Sequence, residues 1–342
     1  MLTEIPIFNN ISMIKRKWLI TGVAGFIGSS LLERLLMLDQ EVIGLDNFST
    51  GYQTNLDDVC AVVGEEKWRN FQLINGDVTD FDVCMKSVEG VDHVLHQAAL
   101  GSVPRSLEDP LATNLANVTG FLNILEASRK AEVTSFTYAA SSSTYGDSTQ
   151  LPKVEDVIGK PLSPYALTKY VNELYSDVYE LSYAFRATGL RYFNVFGPRQ
   201  DPGGAYAAVI PKWIGSMLND KEVIINGDGS TSRDFCFIEN VVQANLLAAL
   251  AEDDVRGKVY NIGLGDRTSL TTLAKMISDQ VESMTARPVL EPSYGPFRRG
   301  DVAHSQASIL KAQTYLNYDP GVKVEKGIEL TVKWFAKYSN RC

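Results

Sequence analysis

A tyrosine and a lysine stand four residues apart in Leu162–Tyr170, LSPYALTKY. Ser163 suits a helix N-cap and Pro164 the first helical position, where a missing N–H is not needed. Tyr165 and Lys169 then fall at i and i+4 on one helical face. A phenol titrates near pH 10 and is a poor base at neutrality. A neighbouring ammonium and a place in the first helical turn both favour the phenolate. The expectation is a Tyr165 pKa drawn down toward working pH. Such a pair is equally consistent with an ordinary surface contact, so the rest of the chain has to decide. Upstream, SFTYAASSSTYG (Ser135–Gly146) reads as a strand running into Ser141–Ser143. Oxidation of a carbinol needs a hydride acceptor and a base for the hydroxyl proton. A serine hydroxyl beside the same oxygen would orient the substrate and share the proton.

The hydride acceptor has its own signature. The apolar run WLIT leads into GVAGFIG, with glycines at 22, 25 and 28. Leu31, Leu32, Leu35, Leu36 and Leu38 follow at helical spacing, then the strand EVIGLD, Glu41–Asp46. Strand, glycine turn, helix and strand end in an acid 18 residues beyond the last glycine. The glycines let backbone approach a pyrophosphate at the helix N-terminus, and Asp46 can take a ribose diol. An acid at position 46 favours NAD over NADP. The following NFSTG, Asn47–Gly51, could add hydroxyl and backbone donors near the adenosine. Asp77 closes the strand FQLINGD and could meet the adenine. Gln97, Ala98 and Ala99 end HVLHQAAL, where small residues let a cofactor pass close to the backbone.

These units belong to a longer alternation. Asn114–Lys130 reads as a helix, Ala187–Gly197 as a strand, and the sum predicts an α/β fold with a Rossmann-type doubly wound parallel sheet. Ligands then sit at the carboxyl ends of the strands, where the glycine turn, the serines and Asn194 fall. Past Gly197 the periodicity weakens, which predicts a smaller α/β C-terminal lobe that closes over a substrate. Helices are expected over 207–219, 238–251 and 270–281, short strands over 222–225 and 258–262, and an irregular stretch over 287–301. The domains are expected as a 1–17 extension, an 18–197 dinucleotide-binding domain with part of 239–268 returning to it, and a substrate lobe of 198–238 and 269–342.

Composition narrows the function classes. Of 342 residues, 45% are hydrophobic and 21% charged, with net charge -9. An acidic chain argues against a nucleic-acid partner. No apolar run reaches bilayer length, and the N-terminus lacks the apolar core of a secretory signal. Cys60, Cys84, Cys236 and Cys342 have no paired or metal-ligand spacing, so reduced thiols, a cytoplasmic location and no metal site are expected.

TGVAGFIGS, SSSTYG, the Tyr165–Lys169 pair and RYFNVFGP together resemble the extended short-chain dehydrogenase/reductase family, over nearly the whole chain. Within it the sequence is most similar to UDP-sugar 4-epimerases, above all those acting on UDP-N-acetylglucosamine or its uronic acid. His96–Ser106, Gly204–Trp213, Ile225–Phe235 and Phe297–Ser305 carry that closer likeness. The resemblance implies NAD contacts at Gly22, Gly25, Phe26, Ile27, Asp46, Asn47, Ser49, Gly51, Asp77, Val78, Gln97, Ala98 and Ala99. Tyr165 matches the catalytic tyrosine, Lys169 its partner that also reaches the nicotinamide ribose, and Ser141 the catalytic serine. Ser142 and Ser143 match substrate contacts. Asn194, Val209, Ile225 and Asn226 match positions around the sugar, phosphates and uracil. Arg233 and Arg298 match a pair that clamps the diphosphate, a task suited to planar, permanently charged forks. Asp301 matches a ribose-binding carboxylate.

The resemblance also implies a mechanism and a substrate. The tyrosine removes the 4-hydroxyl proton, hydride leaves C4, the 4-keto sugar turns over, and hydride returns to its other face. A position filled by a large tyrosine in enzymes restricted to non-acetylated sugars is Ser305 here, which leaves room for a 2-acetamido group. A role in making surface-polysaccharide precursors and a homodimer joined through helices 114–130 and 164–183 are further expectations of the family. UDP-glucose 4-epimerisation is the nearest alternative. A 4,6-dehydratase would carry an Asp-Glu pair where Ser142 and Ser143 stand, and a decarboxylase an acid in that loop. A non-catalytic NAD-binding module would be expected to lose the Ser, Tyr or Lys.

Overall fold

The computed structural model describes residues 11–203, 207–297 and 303–338. Its centre is a seven-stranded parallel sheet. Six strands come from the first part of the chain: β1 (Lys17–Thr21), β2 (Glu41–Asp46), β3 (Phe71–Asn75), β4 (His93–His96), β5 (Ser135–Ser141) and β6 (Ala187–Tyr192). The seventh, β11 (Val259–Ile262), pairs with β6 from Gly189 to Tyr192. The order is β11-β6-β5-β4-β1-β2-β3, so direction along the sheet reverses between β1 and β4. That reversal opens a crevice at the carboxyl ends, where ligands bind in such sheets.

Strand residues alternate between two cores, as a period of two requires. Trp18, Ile20, Leu95, Leu190 and Ile262 face one cluster, and Leu19, Ile43, Val94 and Phe136 the other. Helix α1 (Phe26–Met37) covers the first face with Leu31, Leu32, Leu35 and Leu36, all fully buried. Each such leucine stabilises the fold by about 2 kcal/mol. The second face receives Phe121, Ile124 and Leu125. Between β2 and β3 runs α2 (Gln53–Trp68), and before β4 runs α3 (Phe81–Ser87).

The helix expected over 114–130 is interrupted. After α4 (Val103–Glu108), α5 (Pro110–Asn114) passes into a π turn, Leu115–Thr119, and then into α6 (Gly120–Lys130). The widened turn lets the buried Asn117 reach across: its Oδ1 accepts from Leu100 N at 2.7 Å, and its Nδ2 donates to Leu100 O and Thr168 Oγ1. The long helix α7 (Pro164–Tyr183) starts at the predicted cap, with Ser163 Oγ accepting from Ala166 N at 3.1 Å.

The strand expected over 187–197 is broken in two. β6 ends at Tyr192; Asn194 takes φ 30°, and β7 (Val195–Phe196) leaves the sheet to pair with β10 (Cys236–Phe237). Next come α8 (Val209–Leu218), β8 (Ile224–Asn226) and β9 (Ser232–Arg233); α9 (Ile238–Ala249) follows β10 and packs its buried residues on the large sheet. β12 (Thr268–Ser269) pairs antiparallel with β9 and leads into α10 (Leu270–Thr285). The stretch expected to be irregular holds β13 (Ser293–Gly295), parallel to β8. Helices α11 (Leu310–Leu316) and α12 (Val324–Tyr338) follow. Among the described residues no helix is long and apolar enough to cross a membrane.

Candidate active site

The glycine turn needs its glycines. Gly22 has φ 70°, and a Cβ there would sit 2.8 Å from Ala98 N. A Cβ on Gly28 would lie 2.1 Å from Gly22 O. These contacts let the β1 end, the β4 end and the start of α1 meet. Gly25 is the N-cap of α1 and offers no side-chain cap, so the first-turn N–H groups are left for an anion.

A cleft of about 330 Å³ opens there, over the carboxyl ends of β1, β2 and β4. Gly22, Gly25, Phe26, Ile27, Asp46, Asn47, Ser49, Gly51, Asp77, Val78, Gln97, Ala98 and Ala99 all line it. Leu45, Thr50, Gly76, Leu100, Gly101 and Ala116 line it too. Thr50 and Gly76 lie inside stretches the sequence points to; Ala116, on the π turn, carries no local signal. Asp46 accepts from Ala24 N and Phe48 N, each at 2.8 Å, through different oxygens. Each oxygen keeps a lone pair for a diol. Burial raises this carboxyl, opposed by those two backbone bonds. Asp77 is fixed by Asn47 Nδ2 at 2.6 Å and Thr79 N at 2.8 Å. Burial would raise it, but bonds from Thr79 and Asn47 outweigh that and hold it below the usual carboxylate value.

Behind the cleft, Gln97 is held by residues that local motifs do not flag. Gln97 Nε2 donates to Asn245 Oδ1 at 3.1 Å, and Tyr192 OH donates to Gln97 Oε1 at 3.1 Å. Under it His96 is fully buried, bonded to Thr21 Oγ1 at 2.7 Å, and kept neutral by burial.

Tyr165 and Ser141 meet at the end of β5. Tyr165 is half-buried, and the nearby Ser141 hydroxyl favours its phenolate form. Ser141 Oγ also pairs with Ser143 Oγ at 2.8 Å, and Ser143 N donates to Ser141 Oγ at 3.2 Å. Ser142 and Ser143 form a tight 3-10 turn and are partly exposed. Lys169 is buried, and its Nζ donates to Ala139 O at 2.8 Å. The expected drop in the Tyr165 pKa is not found. Burial pushes the phenol up, only the Ser141 hydroxyl opposes it, and the Lys169 ammonium is turned to a backbone carbonyl. Burial also draws Lys169 down to about 8.

The residues expected around a substrate are assembled differently. Asn194 Nδ2 donates to Asp234 O at 2.9 Å. Arg233 Nη1 donates to Ser232 O and Ala303 O. Ser305 is half-buried and its N–H donates to Ser232 O at 3.1 Å. Val209 opens α8. Ile225 is fully buried in β8, so only its backbone can face a ligand, while Asn226 is exposed at the strand end. Arg298 and Asp301 lie outside the described residues.

Residues 18–263 match the NAD dependent epimerase/dehydratase family. The chain belongs to that family. It is 36% identical over 325 residues to a putative UDP-glucose 4-epimerase of Methanocaldococcus jannaschii, covering 94% of this chain and 99% of that one. The UDP-N-acetylglucosamine 4-epimerase of Methanobrevibacter ruminantium M1, solved with UDP-N-acetylmuramic acid, superposes with TM-score 0.86 at 35% identity over 94% of this chain and 99% of that one. The UDP-glucuronic acid 4-epimerase of Bacillus cereus, solved with UDP-glucuronic acid and NAD, gives TM-score 0.82 at 30% identity over the same shares. This member of the extended short-chain dehydrogenase/reductases uses NAD as cofactor, and the cleft residues fit it. Epimerisation of a UDP-sugar at C4 is the activity these likenesses support.

Proposed function

We propose that the enzyme interconverts the C4 epimers of a UDP-N-acetylhexosamine. Ser305 carries the substrate choice. Its small hydroxyl side chain, half-buried on the segment bonded to β9, replaces the tyrosine that the resemblance assigns to enzymes restricted to non-acetylated sugars. The resemblance at His96–Ser106 and Phe297–Ser305 supports the same reading, and the likeness to a UDP-N-acetylglucosamine 4-epimerase agrees with it.

In this reading the residues lining the cleft hold the dinucleotide, with α1 at its pyrophosphate and Asp46 at a ribose. Bound NAD supplies the hydride acceptor and, when oxidised, a positive charge beside the phenol. Ser141 orients the sugar 4-hydroxyl and stabilises the Tyr165 phenolate. Tyr165 takes the hydroxyl proton and later returns it. Lys169 holds α7 against β5 through Ala139 O, and its remaining N–H donors would serve the nicotinamide ribose, the contact the family resemblance implies. Ser142, Ser143 and Asn194 border the sugar. Val209, Ile225, Asn226 and Asp301 border the nucleotide, and Arg233 with Arg298 clamps the diphosphate.

The same reading includes a homodimer. Leu167, Leu174, Val178 and Leu181 form an exposed apolar stripe on α7, and Leu107, Leu111 and Leu115 continue it from α4, α5 and the π turn. Such a stripe suits a second copy, with α6 facing inward.

The test is incubation with UDP-N-acetylglucosamine, its uronic acid and UDP-glucose in separate reactions without added NAD. The expected result is a C4 epimer first and fastest from the N-acetylated hexose. Turnover of UDP-glucose alone would overturn the substrate assignment.

A further inference from the structure

One buried carboxylate ties the substrate-lobe segments together. Asp234 follows Arg233 and its side chain is wholly buried. Its Oδ1 accepts from Leu264 N at 2.8 Å. Its Oδ2 accepts from Gly265 N at 3.0 Å and from Ala307 N at 3.1 Å. A Cβ on Gly263 would lie 2.9 Å from Oδ2, so that glycine permits the approach. Three chain segments converge on one side chain: the end of β9, the turn after β11, and residues 303–308. Its backbone carbonyl adds a fourth, through Asn194 Nδ2.

The partners show what this arrangement sets. The turn after β11 belongs to the edge of the large sheet, fixed relative to β5 and β6 and therefore to Ser141 and Asn194. The 303–308 segment carries Ser305, bonded in turn to Ser232. Gln306 Nε2 donates to Gly265 O at 2.8 Å, reinforcing the same junction. Arg233 lies one residue from the hub, and its guanidinium donates to Ala303 O, within the tied region. Local sequence does not provide this registration: β9 has two residues, and 303–308 has no regular structure beyond isolated bridges.

We propose that Asp234 is a positioning residue for the nucleotide end of the substrate. Its carboxylate registers Arg233 and Ser305 against the sheet that carries Tyr165 and Ser141. The inference rests on the UDP-sugar reading of this lobe. All three side-chain bonds require an acceptor. An amide would keep one oxygen and turn an NH2 group toward backbone N–H donors, leaving buried groups unpaired. Burial pushes the carboxyl up to about 6 against the opposing backbone bonds from Leu264, Ala307 and Gly265, with Asp266 adding to the rise.

The test is UDP binding by calorimetry on the enzyme as purified with its NAD, for wild type, Asp234→Asn, Arg233→Ala and the double variant. Wild type should bind UDP. Asp234→Asn should bind it at least about ten-fold more weakly, with NAD retention unchanged. On the Arg233→Ala background the same substitution should weaken UDP much less than it does alone, because both act through one contact. Gly263→Ala, which crowds the carboxylate without removing it, should reproduce a smaller loss and serves if Asp234→Asn does not fold. Unaltered UDP affinity in Asp234→Asn or Gly263→Ala would overturn the inference, as would parallel loss of UDP and NAD or full additivity with Arg233→Ala. Failure of wild type to bind UDP would take down the function reading together with it.

Discussion

The glycine-turn cleft and the lobe proposed to hold the substrate are built on opposite plans. The cleft is made by short-range rules. A strand ends, a glycine turn follows, a helix starts, and the functional groups are largely backbone N–H or side chains one or two residues beyond a strand. The lobe draws on segments distant in sequence, around residues 194, 233, 263 and 305, joined by hydrogen bonds at one buried acid. The first plan tolerates drift elsewhere in the chain because each unit carries its own geometry. The second depends on a few long-range bonds, so small changes there should alter substrate handling before they alter cofactor binding.

The largest effect should come from Tyr165, which stands between the two regions. Tyr165→Phe should lower turnover by about 10³-fold or more, the usual scale for losing a general acid–base group, while NAD stays bound. Near-normal turnover would remove the assignment. Gly28→Val attacks the cleft alone. With Gly22 O only 2.1 Å from a Cβ, α1 must move, and the purified protein should lose its NAD absorbance while remaining folded by circular dichroism. Retained NAD would mean that the cleft is less dependent on the turn than its geometry implies.

Ser305→Tyr addresses the lobe alone. It should reduce kcat/KM for UDP-N-acetylglucosamine by about ten-fold or more and leave UDP-glucose within about three-fold, the scale of one steric clash in a pocket. Equal losses on both sugars would make Ser305 a structural residue. The smallest effect concerns the tie between the regions. Arg199 pairs with Asp58 at 2.7 Å and also with Glu33, while Tyr338 and Trp334 of α12 donate to Asp58. Burial would raise Asp58, but these partners prevail and hold it below its ordinary value. Its stabilisation is therefore present above about pH 4 and lost as pH falls below that. Asp58→Asn, which keeps one oxygen acceptor, should cost about 1 kcal/mol at pH 7 and lower Tm by a few degrees, and the gap to wild type should narrow below pH 4. A gap independent of pH would show that packing, and not charge, joins the regions.

The same contrast explains what could be read in the sequence. Gly22, Asp46, Asp77 and Gln97 stand at strand ends that periodicity marks, so the cleft was legible residue by residue. Ser163 and Pro164 announced the start of α7. The π turn did not announce itself, because apolar residues at 118, 121, 122 and 125 fit an ordinary helix; the widening serves Asn117, whose partners lie at 100 and 168. The break after Tyr192 was hidden because FNVFG is as apolar as the strand before it. The Asn245–Tyr192–Gln97 network and the Asp234 hub are set by contacts far apart in sequence, which no local pattern encodes. The raised pKa of the Tyr165 phenol is hidden from the sequence for a related reason. Spacing puts a lysine on its helical face, but only the fold shows that the ammonium is bonded to Ala139 O.

The most direct test of the account is conversion of UDP-N-acetylglucosamine in D2O without added NAD, followed by proton NMR of the sugar. The account predicts the C4 epimer with its C4 hydrogen retained as protium, since hydride leaves and returns within the closed site. Absence of any C4 epimer, or a product deuterated at C4, would contradict it.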